Sequence, residues 1–357
     1  MRRLYSFVVG VVMVICVLLG LAIYMQKSTS STKQTDKLVI YNWGDYIDPE
    51  LIKKFTDETG IEVQYETFDS NEAMYTKIKQ GGTTYDIAVP SDYMIDKMIK
   101  ENLLVKLDKS KIIGLKNIGP EFLNLSFDHN NNYSIPYFWG TVGIVYNDKM
   151  VVDTPKHWDD LWKSEYKNDI MLVDGAREVM GIGLKSLGYS LNSKKMTELK
   201  ASSDKLNSLT PNIKAIVGDE MKGYMINGDA AIGVTFSGEA SEMLASNKNL
   251  HYILPSEGSN LWFDNLVIPK TAKHYDEAYA FINFMLDPKN AAQNAEYIGY
   301  STPNDVAKEL LPDNIKNNVA FYPQEKTIAN LEVYNNLGQE WLGIYNDFYL
   351  QFKMYRK

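Results

Sequence analysis

Between Leu38 and Pro90 the chain alternates strand and helix signals with little in between, and that alternation limits its fold more tightly than any other feature. Leu38-Val39-Ile40-Tyr41-Asn42 reads as a short buried strand. Pro49 then opens a helix through Phe55 that ends near Gly60. Ile61 to Tyr65 alternates as a second strand, Asn71 to Gln80 forms a helix stopped by Gly81-Gly82, and Asp86 to Pro90 is a third strand. A β-α-β-α-β order predicts an α/β fold whose sheet is mostly parallel and covered by helices. Ligands of such sheets sit beyond the carboxyl ends of the strands. Trp43, Ser91 and Tyr93 all follow strand ends, which places them at one rim.

The alternation continues. Thr141 to Asn147 is a strand, expected to follow an aromatic turn at Pro136-Tyr137-Phe138-Trp139-Gly140. Asp169 to Asp174, Ala230 to Thr235 and Trp262 to Pro269 are further strands, with a helix beginning at Arg177. Tyr275 to Leu286 is an amphipathic helix, and the last third is mostly helical.

Ahead of this body, Leu4 to Met25 carries no charge and is preceded by Arg2 and Arg3. About 20 apolar residues at helical rise cross a bilayer core, whereas a cleavable signal has a shorter apolar region of roughly 7–15 residues. Residues 1–27 therefore read as an uncleaved signal anchor, with the protein held on the outer face of the cytoplasmic membrane. Residues 28–36, rich in Ser and Thr, read as a tether. Without residues 1–27, 34 basic and 45 acidic residues remain, a net charge of −11 with no basic stripe, which argues against nucleic acid as a partner. The one cysteine, Cys16, lies in the apolar stretch, so the body has no thiol for a disulfide, metal site or nucleophile.

Two distant segments pair aromatic rings with a carboxylate: Tyr41-Asn42-Trp43-Gly44-Asp45-Tyr46 and Leu261-Trp262-Phe263-Asp264. That combination suits an elongated organic cation, whose methylenes lie against rings while its charged ends meet acids. Enzyme signatures are missing. There is no phosphate-binding Walker loop and no G-x-S-x-G elbow, and His129, His157, His251 and His274 are scattered without metal-ligand spacing. No catalytic residue, metal or cofactor is expected. A carboxylate pair serving a hydrolase, or tyrosinates holding ferric ion, remain as rival readings of the residues alone.

Asn42-Trp43-Gly44-Asp45-Tyr46, Ser70 to Tyr75, Asp86 to Ser91, Tyr133 to Tyr137, Asp174 to Val179, Trp262-Phe263-Asp264 and Ile298 to Asn304 closely resemble the corresponding blocks of the polyamine-binding proteins of ABC importers, the spermidine/putrescine-binding, PotD-type members. The resemblance covers essentially everything after the tether. It implies a two-lobed, Venus-flytrap fold with the ligand between lobes, lobe 1 comprising 37–141 plus 264–308 and lobe 2 comprising 142–263 plus 309–357. Position by position, it places an aromatic box on Trp43, Tyr46, Tyr93, Trp262 and Tyr300, with Phe236 in place of a further tryptophan. Glu178 and Asp264 match the acids that grip ammonium groups, joined by Asp45 and Asp174, and Ser91 matches a polar wall residue. Three positions depart from the family pattern. Gly175 stands where a second carboxylate is common, Gly44 where a hydroxyl is common, and Tyr334 where an amide is common. The implied partners are a spermidine or putrescine ligand and a membrane permease with its cytoplasmic ATPase, with the binding protein itself a monomer. Other readings within the fold are a binding protein for a different organic cation, or a membrane-anchored polyamine sensor.

Overall fold

The computed structural model describes residues 37–355. The expected anchor (1–27) and tether (28–36) lie outside the described residues. Among the described residues no helix is long and apolar enough to cross a membrane.

The first elements follow the sequence pattern: β1 (Leu38–Trp43), α1 (Pro49–Thr59), β2 (Val63–Phe68), α2 (Asn71–Gln80), β3 (Ile87–Ala88) and α3 (Asp92–Lys100). Local chemistry sets the helix starts. Asp48 accepts from the Glu50 N–H at 2.9 Å before α1, and Ser70 Oγ accepts from the Ala73 N–H at 3.2 Å before α2. β2 begins two residues later than its alternation suggested, and β3 is cut to two residues because the chain turns at Val89-Pro90 toward α3.

The segment Pro136–Gly140 is not a turn. It belongs to β4 (Ser134–Asn147), a 14-residue strand buried along its whole length. Pro136 is accommodated because the pairing register slips between Pro136 and Phe138, where the missing N–H is not needed. After β4 come β5 (Ile170–Val173), α4 (Ala176–Ser186), α5 (Met196–Leu209), β6 (Ile213–Val217), α6 (Met221–Asn227), β7 (Ile232–Phe236), α7 (Ser237–Ser246), β8 (Leu250–Ile253) and β9 (Leu261–Val267). The chain closes with α8 (Tyr275–Leu286), α9 (Pro288–Ile298), the short α10 (Asp305–Leu310), α11 (Asp313–Lys316) and α12 (Glu325–Ile328), and the long α13 (Gln339–Tyr355).

The strand order is β2-β1-β3-β9-β4-β7-β5-β6, with β8 also on β4. Pairing is parallel at β2–β1–β3 and at β6–β5–β7, as alternation with helices requires. It is antiparallel wherever β4 or β9 takes part. β4 serves both halves of the sheet. Ser134 to Thr141 pair with β9, and from Val142 onward the partners are β7 and β8. Two hydrophobic cores flank this strand. One contains Leu38, Phe55, Ile87, Phe138, Phe263 and Phe281. The other contains Ile144, Trp158, Leu172, Met180, Ile232 and Phe352. The fold is thus two-lobed, with the carboxyl end of β1 and the start of α3 brought to β9 at one rim.

Candidate functional site

Asp264 sits at the centre of that rim. It lies on β9, bridges to Ser91 on the neighbouring chain segment, and is only 5% exposed. The Tyr46 hydroxyl donates to its Oδ2 at 2.5 Å and the Ser91 hydroxyl to its Oδ1 at 2.6 Å. Both are charge-assisted bonds at the short end of their range. Ser91 is the residue before α3 and has the extended backbone of an N-cap, yet its side chain makes no cap bond. Its hydroxyl goes to Asp264 instead, while Asn71 holds it from behind: Asn71 Nδ2 donates to Ser91 Oγ and the Ser91 N–H donates to Asn71 Oδ1, each at 3.0 Å. A local helix signal is given up to orient a carboxylate. Burial pushes the Asp264 carboxyl up to about 6, against the lowering effect of Ser91 and Tyr46.

Rings surround the acid. Tyr46 lies 5.5 Å from Tyr300 and 5.3 Å from Phe138, both nearly edge-on. Tyr300 meets Trp262 at 5.1 Å and 89°, and Trp262 meets Phe236 at 6.3 Å and 85°. Trp43 stands at the end of β1, where its indole N–H donates to the Val89 carbonyl at 2.9 Å and its ring leans on Phe68 at 4.6 Å. That bond ties Trp43 to the segment leading into Ser91. Tyr93, half-buried in the first turn of α3, donates to Glu72 Oε1 at 3.3 Å.

A second group comes from α4 and the segment before α13. Glu178 lies in the first turn of α4, which Gly175 leaves without a capping side chain. The carboxylate folds back over that glycine so closely that a Cβ at position 175 would meet Glu178 Oε2 at 2.1 Å. There its own backbone N–H, Arg177 and the Tyr334 hydroxyl favour the ionised form, but burial outweighs them and, helped by Glu72, raises the carboxyl above its ordinary value. Arg177 lies over the Tyr334 ring at 4.1 Å and donates to Leu191 O, Asn192 Oδ1 and Asn335 O. It locks the chain around Tyr334 to the start of α4. Burial and the Glu178 charge hold the Tyr334 phenol well above its ordinary range. Burial, with the charges of Glu72 and Glu178, holds the Tyr93 phenol well above its ordinary range.

Two expected acids have other surroundings. Asp45 lies exposed in the turn after β1 with a φ of 42°. Asp174 is bound to α13: the Tyr349 hydroxyl donates to Oδ1 and Lys353 Nζ lies 2.8 Å from Oδ2. Four participants were missed by reading residue types, namely Asn71, Glu72, Asp92 and Arg177. Asn71 and Glu72 lie in the segment Ser70 to Tyr75, and Asp92 stands between Ser91 and Tyr93, so their position carried a signal. Arg177 lies within Asp174 to Val179, one of the blocks that carry the resemblance.

The family model for bacterial extracellular solute-binding proteins matches residues 50–323. A crystallised spermidine/putrescine ABC transporter substrate-binding protein, PotD from Streptococcus pneumoniae, is 71% identical, with a TM-score of 0.83 over 90% of this chain and 99% of that one. The spermidine/putrescine-binding periplasmic protein of Salmonella typhimurium is 40% identical over 334 residues, 93% of this chain and 96% of the relative. The corresponding protein 1 of Haemophilus influenzae is 34% identical over 92% of each chain. The chain therefore belongs to the bacterial extracellular solute-binding proteins.

Proposed function

We propose that this protein is the extracytoplasmic capture subunit of an ABC importer for polyamines, spermidine or putrescine, and that it passes them to a membrane permease without bond chemistry. The observation that carries this reading is Asp264: a buried carboxylate, oriented by two hydroxyls and enclosed by Tyr46, Trp262 and Tyr300. Taking a charge out of water costs several kcal/mol unless an opposite charge meets it. An ammonium group supplies that charge, and the edges and faces of the rings accept its methylenes. Each ring near the cation contributes roughly 0.5–2 kcal/mol. Glu178, with Tyr334 and Trp43, Tyr93 and Phe236 along the way, receives the other end. Amino acids are disfavoured because their carboxylate would meet these acids, and the terminal nitrogens of Arg177 already donate to Leu191, Asn192 and Asn335.

The lobes assigned above, 37–141 plus 264–308 and 142–263 plus 309–357, would close on the ligand. The change of β4 partners between Thr141 and Val142 supports a hinge there. Residues 1–27 would anchor a monomer to the outer face of the cytoplasmic membrane through the 28–36 tether, and carbonate-washed membranes should retain the full-length chain. Isothermal titration calorimetry with spermidine and putrescine tests the ligand class. Micromolar binding, about −8 kcal/mol, is expected, and no heat at high micromolar ligand would refute it.

A further inference from the structure

Asn260 stands just before β9, where the start of that strand, β4 and the chain at Glu332 lie side by side. The backbone there is pinned on both sides. The Asn260 carbonyl accepts from the Val142 N–H at 3.2 Å, while the Ser259 carbonyl and the Leu261 N–H bond the Glu332 N–H and carbonyl at 2.9 and 3.0 Å. The side chain is held at one end only. Asn260 Nδ2 donates to the Leu261 carbonyl at 3.3 Å and to the Glu332 carbonyl at 3.2 Å. Those two acceptors fix which way the amide faces, because an oxygen turned toward them would be repelled. Oδ1 is left buried without a hydrogen-bond partner in the protein, on a residue only 2% exposed. A buried carbonyl oxygen in that condition is costly, so the site calls for a donor.

Asn260 lines a cavity of about 10 Å³, room for a single water-sized group. Glu178, Gly181 and Lys185, spaced along one face of α4, line it as well, and so does Tyr334. The Tyr334 hydroxyl lies over Gly181, 3.7 Å from where a Cβ would stand. We propose that this cavity is a built hydration site, in which one water donates to Asn260 Oδ1 and to Glu178 and so holds the Glu178 carboxylate in place for the far end of the ligand. Asn260 is then a positioning residue that acts through the water. The hydration stands on the cavity itself, whereas the positioning role rests on the polyamine reading above. Size and charge favour water over the ligand as occupant. The room admits one small group and not a chain end with its methylenes. Lys185, paired with Glu332 Oε1 at 2.9 Å, brings a positive charge to the same wall, which opposes the entry of an ammonium. A neutral water has the two O–H donors that two acceptors call for, and its oxygen can accept in turn from Lys185, which keeps N–H groups beyond its bond to Glu332.

A high-resolution crystal structure of the full-length chain, empty and with spermidine, tests the site directly. One water within hydrogen-bond distance of Asn260 Oδ1 and Glu178 is expected in both. A dry cavity, or a ligand nitrogen in the water's place, overturns the proposal whatever the variants do. The positioning role is tested by calorimetry with spermidine on Asn260→Leu, Glu178→Ala and the double variant. Asn260→Leu should lower affinity about tenfold in the parent, the scale of one hydrogen bond to a charged group. In the Glu178→Ala background it should change affinity by less than about twofold, because no carboxylate remains to be held. Additive losses overturn the positioning role, since a purely structural defect beside β9 would act in either background. An Asn260→Leu variant that binds as tightly as the parent overturns it too. Absence of heat with both spermidine and putrescine in the unmodified protein overturns the polyamine reading and the positioning role with it, while the crystal structure still decides the hydration.

Discussion

Replacing Asp264 by Asn should move ligand affinity and the stability of the empty protein in different directions. The carboxyl is 5% exposed and titrates at about 6, against 3.8 for the free group. That difference corresponds to about 3 kcal/mol between the two protonation states. At pH values between about 4 and 6 the unfolded chain ionises this group while the folded protein keeps the proton, so stability falls as pH rises through that window and is level above it. A ligand ammonium relieves the cost at neutral pH. The Asn variant has no charge to bury, and the Tyr46 and Ser91 hydroxyls can rotate, one donating to its carbonyl and one accepting from its amide. Affinity for spermidine and putrescine should fall by about 3 kcal/mol, or more than 100-fold, as when a buried ion pair loses one member. Urea denaturation without ligand should show the variant at least as stable as the parent at pH 7, with this contribution to the decline between pH 4 and 7 removed. Calorimetry and the denaturation series measure both. A variant that binds within threefold of the parent, or that loses several kcal/mol without ligand at pH 7, would refute the reasoning.

Gly238→Ala should lower polyamine affinity about tenfold, because a Cβ there would meet Tyr300 Cε1 at 1.9 Å and displace the ring that packs on Trp262; titration with tryptophan fluorescence reports both effects. Asp174→Asn should leave affinity within threefold and cost about 1 kcal/mol of stability, since its partners are Tyr349 and Lys353 on α13 rather than the ligand; calorimetry and thermal denaturation check it. Asp86 is fully buried and accepts from the Val39, Lys273 and His274 N–H groups, with His274 Nδ1 at 2.9 Å. Burial pushes its carboxyl up, but these bonds prevail and hold it below the ordinary value of 3.8, so its contribution is present above that value and is lost as pH falls through the lower folded one. Asp86→Asn should cost about 2 kcal/mol at neutral pH and flatten the acid limb of the stability curve, read by denaturation at pH 7 and pH 3.

Elements whose signals are local were readable from the sequence. α2 begins and ends where Ser70, Asn71 and Gly81 put it, and α8 runs from Tyr275 to Leu286 as its amphipathic pattern indicates. β4 was misread because Pro136 and a run of four aromatic or small residues look like a turn until a partner strand supplies the register slip. In the site, the rings and Asp264 were visible as residue types near strand ends, and the resemblance to polyamine-binding proteins supplied Glu178. Asp92 was hidden by its neighbours. An acid at the first position of a helix is usual, and only the Phe263 N–H from a strand 171 residues away shows that it is buried against β9. The partners of Asp174 were hidden too, because Lys353 and Tyr349 lie at the far end of the chain.

β4 runs unbroken from one half of the sheet into the other, and the chain near Glu332 runs beside that passage, its carbonyl accepting from the Leu261 N–H. Such a passage behaves as a stiff torsion bar rather than a slack string. Twist must be spread over the few peptide units around Thr141 without tearing the ladder on either side, so the angular travel is limited and elastic recoil favours a defined resting angle. In the lobe closure proposed above, release of cargo would be set by how hard that bar is wound, and substitutions far from the ligand would tune uptake by softening it.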